Sequence, residues 1–130
     1  MSMPLETLDL SMDHRLMQQT SREYVDRVVI PFIRANRERE WLFDPDARLP
    51  KEILEEADAA GLRSLGVPAR FGGVELEPGT EAQTFALIAT EIGRGDAGLA
   101  DKLAQNWKVS VLLRNVAPEH LQDEWFPRYM

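Results

Sequence analysis

The sequence predicts an all-α fold of about five helices in an orthogonal or up-down bundle, and three observations carry that expectation. Apolar residues recur three and four positions apart along nearly the whole chain, which is the spacing of one helix face. Capping and stopping residues punctuate the pattern, with Ser11, Pro50 and Asp96 at starts and Gly61 and the Gly93/Gly95 pair at ends. No stretch reads as a convincing strand ladder, and there is no internal repeat or low-complexity tract.

The first helix is expected from about Leu10 to Arg39, with Ser11 as its N-cap. Leu16, Met17, Tyr24, Val25, Val28, Val29, Phe32 and Ile33 form its apolar stripe. Pro31 lies inside this pattern, lacks an N–H and crowds the preceding turn, so a kink or split is expected near Val29-Ile30. Arg34 to Glu40 reads as a solvated, ion-paired face. A turn over Asp44-Pro45-Asp46-Ala47-Arg48-Leu49 then leads to Pro50 in the first turn of a second helix. Glu52, Glu55 and Glu56 suit the positive end of that helix, while Ile53, Leu54, Ala57 and Ala60 give its buried side. Gly61 ends it in a left-handed cap.

Residues Leu62 to Gly79 change character, with Gly66, Pro68, Gly72, Gly73, Pro78 and Gly79 breaking any regular element. Leu65, Val67, Phe71, Val74 and Leu76 keep the segment apolar, and a loop this long in a small domain is functional or packed. Thr80 to Ile92 reads as a helix with Ala82, Phe85, Ala86, Ala89 and Ile92 on one face, stopped by Gly93 and Gly95. Asp96 caps a helix to about Asn115 that carries Leu99, Leu103, Trp107 and Leu112 on or near one side. Pro118 opens a last amphipathic segment in which Leu121, Trp125 and Phe126 cluster.

Composition excludes several kinds of function. The 130 residues are 44% hydrophobic, enough for a single-domain core, with residues 1–10 expected to be a tail and 11–130 the domain. The absence of cysteine removes disulfides, thiolate metal sites and a cysteine nucleophile, and a reducing cytoplasm is the expected compartment. With 15 Lys+Arg against 22 Asp+Glu, the net charge of −7 argues against a nucleic-acid partner. No apolar run approaches the roughly 20 residues of a membrane span. Met1-Ser2-Met3-Pro4-Leu5-Glu6 lacks the basic-then-apolar pattern of a signal peptide.

Few motifs point to chemistry. Gly93-Arg94-Gly95-Asp96-Ala97-Gly98 spells the dinucleotide fingerprint G-x-G-x-x-G, but that motif works between a strand and a helix and here follows a helix. A helix–turn–helix corner is the better reading. His14 and His120 lie far apart and lack the spacing of a helical metal motif, so no metal is expected. Glu91, among Ala89, Thr90 and Ile92, is read first as a half-buried structural ion pair or hydrogen bond, with a catalytic base as the sharper alternative. Trp107, Trp125 and Phe126 are a ligand platform, an interface anchor or, by default, core. Paired Gly72-Gly73 after Phe71 allow close backbone approach, positive φ or simply a tight turn.

The ordered set of Pro31, Leu49-Pro50, Gly61-Leu62, Gly66-Val67-Pro68, Phe71-Gly72-Gly73, Glu91-Ile92 and Asp96-Ala97 resembles the N-terminal α-helical domain of the acyl-CoA dehydrogenases. The similarity runs from about Met12 to Met130, with Pro68, Phe71, Gly72, Gly73, Glu91 and Asp96 as its structural marks. The resemblance implies an FAD enzyme that converts acyl-CoA to α,β-enoyl-CoA, in which a base takes the α-proton and the flavin takes hydride from the β-carbon. It implies a β-barrel domain and a C-terminal helical domain as partners, an acyl-CoA substrate and commonly a homo-oligomer. It also implies that Leu99, Ala100, Leu103, Ala104 and Trp107 line the acyl chain, with core packing as the plain alternative for these residues. The barrel, most FAD contacts and the catalytic glutamate have no counterpart in these residues, so no catalytic residue is assigned and the chain is not expected to hold FAD by itself. Asn106-Trp107-Lys108 departs from the family by placing a bulky aromatic and a cation near the pocket helix.

Three readings follow. The chain is the N-terminal piece of an acyl-CoA dehydrogenase, docking its barrel on an exposed apolar face that includes Val67, Phe71 and Val74. Alternatively, it is a non-catalytic helical interaction module that kept the fold, or an independent enzyme using Glu91 as base.

Overall fold

The computed structural model describes residues 10–38 and 51–130. Residues 1–9 of the expected 1–10 tail, Arg39 and Glu40 of the expected solvated face, the turn over 44–49 and Pro50 lie outside the described residues. The chain forms α1 (Met12–Tyr24), a π-helical turn (Val25–Val29), α2 (Ile30–Ala35), α3 (Lys51–Ala59), α4 (Glu81–Gly95), α5 (Ala97–Val116) and α6 (Glu119–Tyr129). Because α1, the π turn and α2 run on without a break over residues 12–35, the bundle has five helical rods among the described residues. The all-α expectation is met.

Local chemistry explains the ends of these rods. Ser11 caps α1, its Oγ accepting the His14 N–H at 3.2 Å. Where Pro31 was expected to kink the helix, the backbone widens instead: the Ile30 N–H bonds to the Val25 carbonyl five residues back. The wider turn makes room for the ring of Pro31, whose missing N–H falls at the junction where the hydrogen-bond register changes from π to α. Gly61 ends α3 at φ +73°, and the N–H groups of Gly61 and Leu62 bond back to the carbonyls of Asp58 and Ala57, each at 2.9 Å. Asp96 leaves α4 in an extended conformation and caps α5, its Oδ1 accepting the Leu99 N–H at 2.7 Å.

The core lies where α4 meets α1, the π turn and α5, built on Val25, Val29, Ile88, Ile92, Leu103 and Trp107. Two buried polar tips tie α3 and its exit into it. The Tyr24 hydroxyl donates to the Ile53 carbonyl at 2.9 Å, and the Trp107 indole donates to the Leu62 carbonyl at 2.7 Å. The sequence expectation for α4 needs one correction: Ala82, Phe85, Ala86 and Ala89 share a face, but Ile92 belongs to the buried stripe. That stripe is Thr84, Leu87, Ile88, Glu91 and Ile92, whereas Ala82 and Ala86 are exposed and Phe85 and Ala89 half-buried. The helix carries two apolar stripes, and the larger aliphatic side chains bury more area and take the core side. Gly93 does not stop α4, which ends instead at Gly95; a Cβ at Gly95 would stand 2.8 Å from Val25 Cγ1, so this glycine also serves close helix approach. Trp125 is also corrected, being 52% exposed, while its neighbour Phe126 is fully buried.

The segment after Gly61 is packed rather than free. Leu65 and Val74 form an isolated parallel bridge, with the Gly66 N–H on the Val74 carbonyl at 2.9 Å and the Val74 N–H on the Ser64 carbonyl at 3.1 Å. A 3-10 turn over Ala69–Phe71 follows Pro68, and Phe71 stacks on Phe126 of α6 with centroids 5.0 Å apart. Arg70 lies over the Phe71 ring and pairs with Asp123 at 2.8 Å. Val67 is consequently fully buried, and Phe71 and Val74 are half-buried. The exposed docking face expected at these three residues is not there, because the loop has folded its apolar side onto the chain's own core and α6.

The glycine pair divides its work. Gly72 takes φ +83° with open space around it, whereas Gly73, outside the left-handed region, lies so close to Val67 that a Cβ would overlap the Val67 carbonyl oxygen. Gly73→Ala is therefore expected to destabilise by about 3 kcal/mol through steric overlap. Gly72→Ala costs about 1 kcal/mol through backbone strain. Urea denaturation of the two variants checks the order, and an unchanged midpoint for Gly73→Ala would contradict the close approach.

Candidate functional site

Two features between helices stand out: an ion-pair cluster joining α1 to α4 and an apolar groove joining α4 to α5. The cluster centres on Glu91, whose side chain is only 6% exposed although that of its partner Arg22 is 58% exposed. Arg22 donates to both carboxylate oxygens, at 2.6 and 3.2 Å, and Gln18 Nε2 adds a third donor at 3.1 Å. Arg94 stands 3.6 Å from Glu91 and pairs with Asp26 at 2.8 Å. Burial by itself pushes the Glu91 carboxyl up, but the Arg22 hydrogen bonds and charge, with Gln18 and Arg94, outweigh it and leave the group below its ordinary value. Arg22 is shifted upward for the same reason. A carboxylate held by three donors and kept ionised is a structural tie, as its position in the sequence suggested, and is poorly placed to accept a substrate proton.

The groove encloses about 750 Å³ between α4 and α5. Ala82, Phe85, Ala86 and Ala89 form the α4 wall, and Ala104, Trp107, Val111 and Leu112 the α5 wall. The alanines at 82, 86 and 89 leave the trough wide. The Trp107 ring, stacked on Phe85 with centroids 5.1 Å apart, lines its base. At one end Arg114 of α5 pairs with Glu81 of α4 at 3.0 Å. The Glu81 carboxyl lies below its ordinary value, chiefly through its own backbone N–H, with the Gly79 N–H and Arg114 adding to this against the effect of burial. Leu112, 60% exposed, with Val109 and Val116, extends apolar surface along α5.

Of the five residues singled out in the sequence as acyl-lining, the structure brings Ala104 and Trp107 to this groove. Leu103 is fully buried, and Leu99 and Ala100 are half-buried against the core and outside the groove lining. The sequence reading placed Ala82, Phe85, Ala86 and Ala89 on one face of α4, which is the groove wall, but did not assign that face to a groove. The available signal was the contrast of small residues at 82, 86 and 89 with Leu87, Ile88 and Ile92. The glycine-rich Gly93–Gly98 stretch is the corner between α4 and α5, as its helical context implied. The remaining marks have structural places: Pro68 before the 3-10 turn, Phe71 on α6, the two loop glycines, Glu91 in its ion pairs and Asp96 as a cap.

Among the described residues no group of three or more His, Asp or Glu side chains could hold a metal ion, and no helix is long and apolar enough to cross a membrane. The described residues form a five-rod α bundle with an apolar trough between α4 and α5. The family model for the acyl-CoA dehydrogenase N-terminal domain matches residues 11–130, and the chain belongs to that family. No curated protein and no solved structure matches the chain significantly.

The Glu91 cluster yields a pH prediction. Its folded carboxyl lies below the unfolded value of 4.5, so the unfolded chain takes up the proton first. The stability due to Glu91 is thus complete above pH 4.5 and is lost as pH falls through the folded value. Glu91→Gln is expected to flatten the acid limb of a Tm–pH profile. Arg22→Leu, which strands a covered carboxylate, is expected to lower Tm at pH 7 more than Glu91→Gln and to narrow that deficit on acidification; parallel profiles for all three proteins would contradict the assignment.

Proposed function

We propose that this chain supplies the acyl-chain side of an FAD-dependent acyl-CoA dehydrogenase that forms α,β-enoyl-CoA, with the α4–α5 groove as the wall that meets the acyl group. The observation that carries this reading is the groove itself: an open, almost wholly apolar trough of about 750 Å³ in a chain of this family, lined by Ala104 and Trp107. Apolar surface left uncovered beside it at Val109, Leu112 and Val116 suits contact with the β-barrel and C-terminal helical domains that complete such an enzyme.

The Gly93–Gly98 corner, which spells a dinucleotide fingerprint, does not fit a flavin diphosphate: the Asp96 carboxylate takes the Leu99 N–H there and would repel the phosphates. Hydride transfer and α-proton removal fall to other parts of the enzyme. This chain's own contribution is to bind the acyl group and keep water from it, in a cytoplasmic setting consistent with its lack of cysteine.

Trp107 reports on the groove once Trp41 and Trp125 are replaced by Phe. Titration with octanoyl-CoA is expected to give a saturable change in its fluorescence. Ala86→Phe, which fills the trough from an exposed position, is expected to weaken binding at least about tenfold without lowering Tm. Absence of any saturable change would remove the acyl-wall reading. FAD that stays with the 130-residue chain through gel filtration and is bleached by octanoyl-CoA would overturn the division of labour.

A further inference from the structure

We propose that the groove prefers apolar chains that end in a negative charge, and that Lys108 is the residue that selects them. The inference rests on the reading of the groove as an acyl site and names the class of acyl group it takes: one whose free end carries a carboxylate.

The argument is one of charge balance within the groove. Its other charged lining groups are already engaged. Arg114 pairs with Glu81 at 3.0 Å, Glu81 also accepts the Gly79 N–H at 3.1 Å, and Asn115 Oδ1 accepts from Arg114 Nε at 3.3 Å. Lys108 is the exception. It lines the groove one turn from Ala104 and one turn from Leu112, and no ion pair or hydrogen bond engages its ammonium among the described residues. The nearest acid on that side of α5, Asp101, lies two turns away and accepts a hydrogen bond from Gln105 at 3.3 Å. The long stem lets Lys108 keep its methylenes against apolar groove surface while the ammonium stays at the lip.

A neutral tail laid in the trough takes water from around that ammonium and returns nothing. A tail ending in a carboxylate returns an ion pair, and a tail ending in an ammonium adds repulsion. The chain as a whole carries −7, so long-range attraction works against an anion and the preference must arise by contact at Lys108.

Octanoate, 1-octanol and octylammonium share one tail and differ in end-group charge. At neutral pH, with Trp107 as sole reporter, octanoate is expected to bind about fivefold tighter than 1-octanol, and octylammonium more weakly than either. Lys108→Met is expected to erase the octanoate advantage, with octanoate binding more weakly and 1-octanol, no longer desolvating an ammonium, binding at least as tightly as before. Equal affinity of octanoate and 1-octanol for the unmodified chain, or an advantage that survives Lys108→Met, overturns the role of Lys108 and leaves the acyl groove standing. If no probe binds, the groove reading falls with it. A dimer in sedimentation velocity that Lys108→Glu dissociates and octanoate does not would assign Lys108 to a second copy of the chain, and would also overturn the proposal.

Discussion

The buried hydrogen bond from the Trp107 indole to the Leu62 carbonyl, 2.7 Å long, is the contact on which the rest of the arrangement depends. It fixes α5 against the exit of α3, at the carbonyl just beyond the Gly61 cap. The same ring stacks on Phe85 and so sets the separation of α5 from α4. A buried indole N–H without a partner is costly, so this bond admits one seating of the ring and therefore one depth for the groove it lines. Fold and candidate site are thus held by a single side chain.

α4 is the other half of that design. One side carries Leu87, Ile88 and Ile92 into the core, with Glu91 tied to α1 through Arg22 and Gln18. The other side carries alanines, which line the trough without filling it. Because the Arg22 guanidinium is largely in water, the pair derives its value less from Coulomb attraction than from keeping the covered carboxylate satisfied. The tie sets α4 on α1, and α4 in turn presents its small residues to α5.

The loop between α3 and α4 supports this arrangement from behind. Its bridge between Leu65 and Val74, the tight passage of Gly73 past Val67, and the seat of Phe71 on Phe126 make it a packed strap joining α6 to the bundle. With its apolar side turned inward, the large apolar residues left exposed among the described residues lie elsewhere: Val109, Leu112 and Val116 on α5, Met12 and Leu16 on α1, and Trp125 and Met130 at the end of the chain's last helix.

What the sequence by itself determined was the local structure. The Ser11 and Asp96 caps, the Gly61 cap and the helical character of nearly every segment follow from side chains acting on their own backbone within a few residues. Even the disturbance at Pro31 was legible, although its form, a π turn rather than a kink, depended on how the surrounding turns could be repacked. What only the tertiary structure decided was the direction of each apolar face. α4 offers two stripes that a periodicity reading ranks alike, and the choice between Ile88 and Ala86 was made by how much surface each buries against α1 and α5. On α5, Leu103 is wholly in the core, Ala104 faces the groove, and Trp107 is a core residue whose ring also forms the groove's base. Chemistry local to the backbone can be read along the chain; which faces meet is a competition among distant residues for one interior.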